Sequence, residues 1–289
     1  MEALRCPGCN STVDEFTQAT KGDAWARVGL WLYGLASVAA GIMDLRWGDF
    51  DPSHQPIQAF GDHIPGREIL AYITALWMIA GGAAILWRRC AQLGAAALAV
   101  IYFIFALFWL PRLYTAPHVL GFHIAIFIGV LAGIGTQLIA SAAGALVYAS
   151  LATRWLRTAR YTFGLCSVAF GSAHLTGIDD NAVYVPRWMP LGGEFWTVVT
   201  GICFILAGLS ILSEILDVLA ARLLGLMLLV FSGLTLLPMI FAFPQRHDVW
   251  GGNAYNLAAV GAAWIFAGSI TSRHSRQAHE ARPQLAEAS

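Results

Sequence analysis

The chain of 289 residues is 58% hydrophobic and 12% charged, and its formal net charge is zero. Soluble domains carry about 25% charged residues, so this composition argues against a soluble globular protein. Without a net positive charge, a nucleic-acid partner is not expected either.

Eight stretches without Asp, Glu, Lys or Arg follow one another along the chain, at 28–43, 69–87, 90–111, 113–153, 161–178, 195–213, 223–245 and 249–272. Because about 20 apolar residues are needed to cross the hydrocarbon core, seven stretches each predict one transmembrane helix. The fourth is too long for one crossing, so we expect its residues from 141 onwards to lie along the interface. These segments lack the polar face of helices in soluble bundles. The sequence predicts an all-α polytopic protein with eight transmembrane helices in a lipid bilayer.

The positions of Lys and Arg indicate the orientation, because these residues favour the cytoplasmic side of a membrane. If both termini share one side, twelve of the 17 positive residues lie there, and the other five lie opposite: Arg46, Arg67, Arg112, Arg187 and Arg246. The first 25 residues lack the pattern of a cleavable signal peptide. We therefore expect both termini in the cytoplasm, in the plasma membrane of a prokaryote.

An internal repeat divides the chain. Residues 33–45 and 163–175 are identical at seven of thirteen positions. Further matches follow in order: Gly66-Arg-Glu68 with Gly192-Gly-Glu194, Thr74 with Thr200, Leu110-Pro111 with Leu237-Pro238, and Val119-Leu-Gly121 with Val249-Trp-Gly251. They predict two parallel four-helix repeats, related by an axis along the membrane normal. The first covers 27–153 and the second 154–271, between a cytoplasmic tail at 1–26 and a disordered cytoplasmic tail at 272–289.

The second repeat contains two short motifs. It has Gly-x-x-His at the end of its first helix, ending at His174, and Val185-Pro-Arg-Trp-Met-Pro190 before its second helix. In these features the chain resembles the DoxX-like integral membrane proteins, more closely at 160–271 than in the first repeat, where Asp44 replaces His174. The resemblance implies a four-helix membrane unit. The family takes its name from subunits of archaeal thiosulfate:quinone oxidoreductase, which implies a quinone ligand and a redox partner protein.

Polar residues at the outer ends of the spans are candidates for chemistry, because such groups are costly to place in a membrane. Four titratable residues are candidate proton-handling or catalytic groups: His174, Glu194, Asp44 and Glu68. Three others are candidates for binding a cofactor: His123, Asn253 and Asn256. Histidine titrates near neutral pH and suits a quinone head group that takes up protons; His174 with Glu194, or His123 with Asp44, would supply a donor and an acid.

Each candidate also has a structural interpretation. A carboxylate in the first turn of a helix complements the helix dipole, which accounts for Glu68 and Glu194. Asp44 can pair with Arg46, the two asparagines can join helices by hydrogen bonds, and the histidines can be satisfied polar groups of the core. The acidic loop at 46–67 and the segment 246–248 are expected to be solvated.

The N-terminal Cys6-Pro-Gly-Cys9 motif has the spacing of zinc ligands or of a redox pair. A structural zinc site needs four ligands, so a second chain would have to complete it. Three functions remain open from the sequence. They are a quinone-binding, redox-associated subunit, a non-catalytic membrane scaffold or assembly partner, and a small-molecule transporter.

Overall fold

The computed structural model describes residues 23–52, 65–149 and 153–287. In this part of the chain every regular element is helical. The α-helices in chain order are α1 (Ala24–Trp47), α2 (Arg67–Leu86), α3 (Ala91–Trp109), α4 (Arg112–Leu120), α5 (Ile124–Tyr148), α6 (Thr153–Thr176), α7 (Ile178–Ala182), α8 (Gly192–Ser213), α9 (Asp217–Phe231), α10 (Leu237–Ala242) and α11 (His247–Glu287). A π-helical turn, Ser232–Leu236, joins α9 to α10.

Seven helices in the described residues are long and apolar enough to cross a membrane. They are α1, α2, α3, α5, α8, the continuous run Asp217–Ala242 and the part of α11 at His247–Ala278. The all-helical, polytopic membrane architecture predicted from the sequence is confirmed. Helix α6 has 24 residues, about 36 Å at 1.5 Å per residue, but Arg154, Arg157 and Arg160 in its first turns lower its hydropathy.

The long helices form a closed ring. Each packs against the next along the chain, in the order α1, α2, α3, α5, α6, α8, α9 and α11, and α11 then packs against α1. Helix α11 also contacts α5, and 78% of the residues in its most apolar stretch are buried inside the protein. It is the most enclosed of the spans.

Glycines bring neighbouring helices into backbone contact at matching places. A Cβ atom on Gly41 of α1 would lie 2.5 Å from the Ala75 carbonyl oxygen of α2, and one on Gly171 of α6 would lie 2.5 Å from the Gly201 carbonyl oxygen of α8. Both positions also touch an isoleucine, Ile79 or Ile205 respectively. Such close approach is available only to glycine, and small residues are typical of helix contacts in membranes.

The fourth uncharged stretch is divided differently from the prediction. We expected the interfacial segment after the span, from 141 onwards, but α5 continues to Tyr148 and the short helix α4 precedes the span instead. Helix α4 follows Pro111, and it ends at Gly121 with a φ of 100°, a conformation that glycine adopts without a Cβ clash. Pro111 and Gly121 therefore fix where α4 begins and ends, and so separate it from α3 and α5.

A buried ion pair joins helices at the end of the ring where α1 begins. Arg160 of α6 is 2.8 Å from the Asp217 carboxylate at the start of α9, and it also donates to the Ile211 carbonyl oxygen of α8 at 2.8 Å. Nearby, Asp23 caps α1 and accepts a hydrogen bond of 2.8 Å from Arg222 of α9. We call this end the Asp23 end and the opposite end the Asp44 end.

Three further segments were considered in the sequence analysis: the N-terminal tail, the loop after α1 and the C-terminal tail. The Cys6–Cys9 motif lies outside the described residues, and so do the loop residues at 53–64. The tail at 272–289 was expected to be disordered, whereas α11 continues without interruption from its span to Glu287.

Candidate functional site

Three of the candidate residues lie on the surface of the protein at helix starts. Glu68 and Glu194 occupy the first turns of α2 and α8 and are exposed. His123 is the N-cap residue of α5, and it is also exposed. In these positions the carboxylates complement the helix dipoles. None of the three lies beside Asp44 or His174 in a shared pocket.

Asp44 belongs to a buried polar cluster at the Asp44 end of the ring. Its carboxylate is fully buried, accepts a hydrogen bond from the Asp51 backbone N–H at 3.0 Å, and lies 3.1 Å from the Nε2 atom of His247. The His247 ring stacks on Trp47 with 4.8 Å between ring centroids. The structure thus pairs Asp44 with His247 of α11 instead of with His123.

Asp51 completes this cluster. We expected it in a solvated loop, but its side chain is only 1% exposed and packs against Gly251 of α11, where a Cβ atom would lie 1.8 Å from Asp51 Oδ2. Close by, the Arg112 guanidinium lies 3.9 Å from the Trp109 ring centroid and donates to the Pro52 carbonyl oxygen at 3.3 Å. Burial lowers the pKa of Arg112, and an arginine stays charged nevertheless.

The groove between α2 and α3 is filled. The Trp77 indole lies across it and donates from Nε1 to the Ala97 carbonyl oxygen at 2.9 Å. Gly94 brings the two helices together, because a Cβ atom there would lie 2.3 Å from the backbone nitrogen of Ile85 and 2.7 Å from the carbonyl oxygen of Gly81. Little space remains between these helices for a ligand.

The groove between α8 and α9 is open and forms a cavity of about 880 Å³. Its lining is almost entirely apolar and extends from Tyr184 and Pro186 at the Asp44 end to Ser210 and Leu216 near the Asp23 end. Several of its leucines, such as Leu206 at 60% exposed, also face outwards. The cavity therefore opens laterally from the ring, towards the surrounding lipid.

His174 of α6 lines this cavity. Its Nδ1 atom is 2.9 Å from the Phe170 carbonyl oxygen, one helical turn earlier. The imidazole packs beside Phe204 and Phe231, with ring centroids 5.2 Å and 6.4 Å away. These contacts leave one edge of the imidazole directed away from its own helix, among flat aromatic side chains.

Asn256 of α11 lines the cavity from the opposite side. Its Nδ2 atom donates to the Leu228 carbonyl oxygen at 2.7 Å and to the Ser232 hydroxyl at 2.9 Å. These partners lie where the π-helical turn disturbs the regular hydrogen bonding of α9, and π-helical turns are frequent at functional sites. The asparagine side chain therefore holds the irregular turn in place at the wall of the cavity.

Asn253, the third candidate for cofactor binding, is placed elsewhere. It lies one turn before Asn256 and is buried, but it is not a lining residue of the cavity. Its Oδ1 atom has no hydrogen-bond partner among the described residues. The structure therefore brings together two of the seven candidates, His174 and Asn256, in one cavity.

The residues that the sequence did not single out are Asp51, His247 and Cys203. The first two were assigned to solvated loops, and their burial depends on contacts between α1 and α11 that are remote in sequence. Cys203 is a free, exposed thiol that lines the cavity. Across the residues that the structure describes, no group of three or more His, Cys, Asp or Glu side chains could hold a metal ion.

Comparisons of the chain with models of known protein families, with curated proteins and with solved structures gave no match.

Proposed function

We propose that this chain is an eight-span, DoxX-like membrane protein that binds a quinone between α8 and α9, as a subunit associated with a redox partner protein. The observation that carries the proposal is the cavity of about 880 Å³, lined by His174 and Asn256 and open to lipid. Apolar cavities of this size with a few polar groups are typical ligand sites.

In this proposal, the eight spans result from duplication of a four-helix unit. The matching glycine contacts of Gly41 and Gly171 support it. A second pair agrees: a Cβ atom on Gly82 would lie 2.6 Å from the Gly34 carbonyl oxygen, and one on Gly208 would lie 2.6 Å from the Gly164 carbonyl oxygen. Helix α6 then serves as the fifth span, equivalent to α1.

The π-helical turn agrees with this duplication. Thr74 and Thr200 are 126 positions apart, whereas Pro111 and Pro238 are 127 apart. A π-helical turn accommodates one extra residue in a helix, and Ser232–Leu236 lies between the two matched positions. The extra residue reshapes α9 relative to α3 where Asn256 contacts it.

The orientation of the proposal places both termini in the cytoplasm and the Asp44 end outside. Reporter fusions after residues 149, 190 and 289 test it. A cytoplasmic signal at 149 and 289 with an external signal at 190 agrees with eight spans. An external signal at 289 contradicts an even number of crossings.

Two differences between the units explain why only the second has an open groove. At the offset of 126, Trp77 corresponds to Cys203, so the indole that fills the first groove is replaced by a small thiol. Gly81 and Gly94 correspond to Ala207 and Ala220, which both line the cavity. The added methyl groups prevent the close contact that the glycines permit in the first unit.

A quinone fits the chemistry of this lining. Its flat ring can lie against Phe231, which lines the cavity, and its apolar tail suits the leucine-rich part of the groove. His174 and Asn256 would orient the polar edge of the ring. When bound, a quinone supplies two-electron redox chemistry; the side chains of this protein would position it and limit contact with water.

Occlusion of the groove tests the proposal. Cys203→Trp places an indole in the cavity, as Trp77 does in the first groove, and it should abolish binding of a short-chain benzoquinone or benzoquinol to protein in nanodiscs. Ile202→Trp is the matched control, because Ile202 is 46% exposed and does not line the cavity. The proposal is contradicted if Cys203→Trp still binds the compound, or if the wild type does not bind it.

A second candidate, a membrane scaffold, is favoured by one observation. Glu68, Glu194 and His123 are exposed at helix starts and do not gather around a cavity. As a scaffold, the protein would present these groups to a partner. Loss of partner association in a Glu68→Gln, Glu194→Gln variant with unchanged quinone binding would favour this role.

A further inference from the structure

The polar side chains on two walls of the cavity already donate their hydrogen atoms in hydrogen bonds within the protein. From this pattern we infer that the cavity selects ligands that donate hydrogen bonds, and hence the hydroxyl-bearing quinol form over the quinone form. This inference rests on the proposed function and names the form of the ligand that the site prefers.

His174 presents an acceptor to the cavity. Its Nδ1 atom faces the Phe170 carbonyl oxygen at 2.9 Å, and a carbonyl oxygen can only accept, so Nδ1 carries the hydrogen. In the neutral imidazole the Nε2 atom then bears a lone pair. A positive imidazolium among Phe204 and Phe231 would be costly, because a charge is poorly solvated in an apolar cavity.

Asn256 also presents a hydrogen-bond acceptor to the cavity. Its amide has two N–H hydrogens, and both are donated within the protein, to the Leu228 carbonyl oxygen and to the Ser232 hydroxyl. The Leu228 carbonyl fixes the orientation of the amide, since an amide oxygen in that place would face another acceptor. The Oδ1 atom of Asn256 is therefore the group left for a ligand.

Other polar groups on the lining do not reverse this bias. Thr200 donates its hydroxyl hydrogen to the backbone of its own helix, and the Trp196 indole donates to the Pro190 carbonyl oxygen. The hydroxyls of Tyr184, Thr197 and Thr235 also line the cavity. A hydroxyl can donate or accept, so these three groups do not distinguish the two forms of a quinone. Asn181 also lines the cavity and donates from Nδ2 to the Gly177 carbonyl oxygen at 2.8 Å. Its amide has a second hydrogen and an oxygen, so it can serve either form as well.

The quinone and quinol forms differ in whether they accept or donate hydrogen bonds, which is the property that His174 and Asn256 distinguish. A quinone offers two carbonyl oxygens, which are acceptors, and these would face the lone pairs of His174 and Asn256. A quinol offers two hydroxyl hydrogens. Buried acceptors left without a donor weaken binding, so one good hydrogen bond predicts an affinity about tenfold higher for the donating form.

The experiment compares a short-chain benzoquinol with its dimethyl ether, which keeps the shape but lacks both hydrogens, and with the matching benzoquinone. Each is titrated without oxygen into the full chain in nanodiscs. We expect the quinol to bind about tenfold more tightly than the ether or the quinone. In His174→Phe the quinol should lose most of this advantage, while the affinity for the ether should stay the same.

His118→Phe is the matched control. The His118 Nδ1 atom contacts the Tyr114 carbonyl oxygen at 2.7 Å, as in His174, but the ring lies on the exposed helix α4. Equal wild-type affinities for quinol and ether would overturn this inference and leave the proposed function intact. Failure of all three compounds to bind would overturn the proposed function. The wild-type comparison decides the matter even if His174→Phe does not fold.

Discussion

The Asp44 carboxylate and the His247 imidazole lie 3.1 Å apart, although 203 positions separate them in the chain. Asp44 is at the end of α1 and His247 is at the start of α11, so their contact closes the ring of helices. Trp47 covers the imidazole and Asp51 donates its backbone N–H to the same carboxylate. The first and last spans are therefore fastened together at the Asp44 end.

Breaking this pair should destabilise the protein. Removal of one partner of a buried hydrogen bond costs about 1–3 kcal/mol, because the remaining polar group loses that contact in a medium of low polarity. Since the Asp51 backbone N–H still donates to the Asp44 carboxylate, we expect His247→Ala to lower the free energy of unfolding in detergent by an amount in that range. Arg246→Ala is the control, since Arg246 pairs with Asp248 on the exposed surface; an equal loss in this variant would contradict the prediction.

Adjacent glycines in α11 provide a test of the Asp51 contact. A Cβ atom on Gly251 would lie 1.8 Å from Asp51 Oδ2, whereas one on Gly252 would meet nothing within 4 Å. Overpacking costs about 1–3 kcal/mol, so Gly251→Ala should lower the melting temperature. Gly252→Ala should leave it unchanged or raise it, because alanine is the better helix former by about 1 kcal/mol. The reverse order would show that Asp51 is not packed against α11.

The Arg160–Asp217 pair should show strong coupling in a double-mutant cycle. Arg160→Met leaves the Asp217 carboxylate, only 3% exposed, without its cation, and the expected loss is about 3–5 kcal/mol. Replacing both residues, as in Arg160→Met with Asp217→Leu, should recover much of this loss, since an apolar pair needs no compensation. Arg157→Met, at an exposed position of the same helix, serves as the control. Additive losses would contradict the pairing.

The proposed duplication predicts equal effects at equivalent glycines. Gly41→Ala and Gly171→Ala each place a methyl group 2.5 Å from a carbonyl oxygen of the neighbouring helix, so both should lower the melting temperature in detergent by similar amounts. Gly129→Ala is the control, because a Cβ atom there meets nothing within 4 Å. A large effect at one glycine and none at the other would count against matching helix contacts.

The architecture was accessible from the sequence where it depends on local composition. Long segments without charge predict membrane-spanning helices from composition alone. The uncharged stretch at 161–178 predicted a further span, but the helix that contains most of it, α6, is not among the seven described helices that are apolar enough to cross a membrane. The break at Gly121 was missed, because an uncharged stretch gives no sign of where its helix stops.

The site was less accessible because it depends on contacts between distant residues. Asp51 and His247 looked like solvated loop residues, and only the packing of α11 against α1 buries them. The residues around His174 were partly expected, but Glu194 begins the same helix α8 that forms the cavity wall and still lies outside the cavity. In the proposed duplication, the open groove depends on Cys203 and on one extra residue in α9, and these differences show only when the two proposed units are compared.

Identification of the compounds that remain bound to the purified protein tests the central claim most directly. The protein is purified in mild detergent from native membranes, extracted with organic solvent and analysed by mass spectrometry and absorption, for the wild type, Ile202→Trp and Cys203→Trp. We predict a quinone or quinol in near-stoichiometric amount in the wild type and in Ile202→Trp, and its loss in Cys203→Trp. Phospholipid alone in all three preparations would contradict a quinone site between α8 and α9.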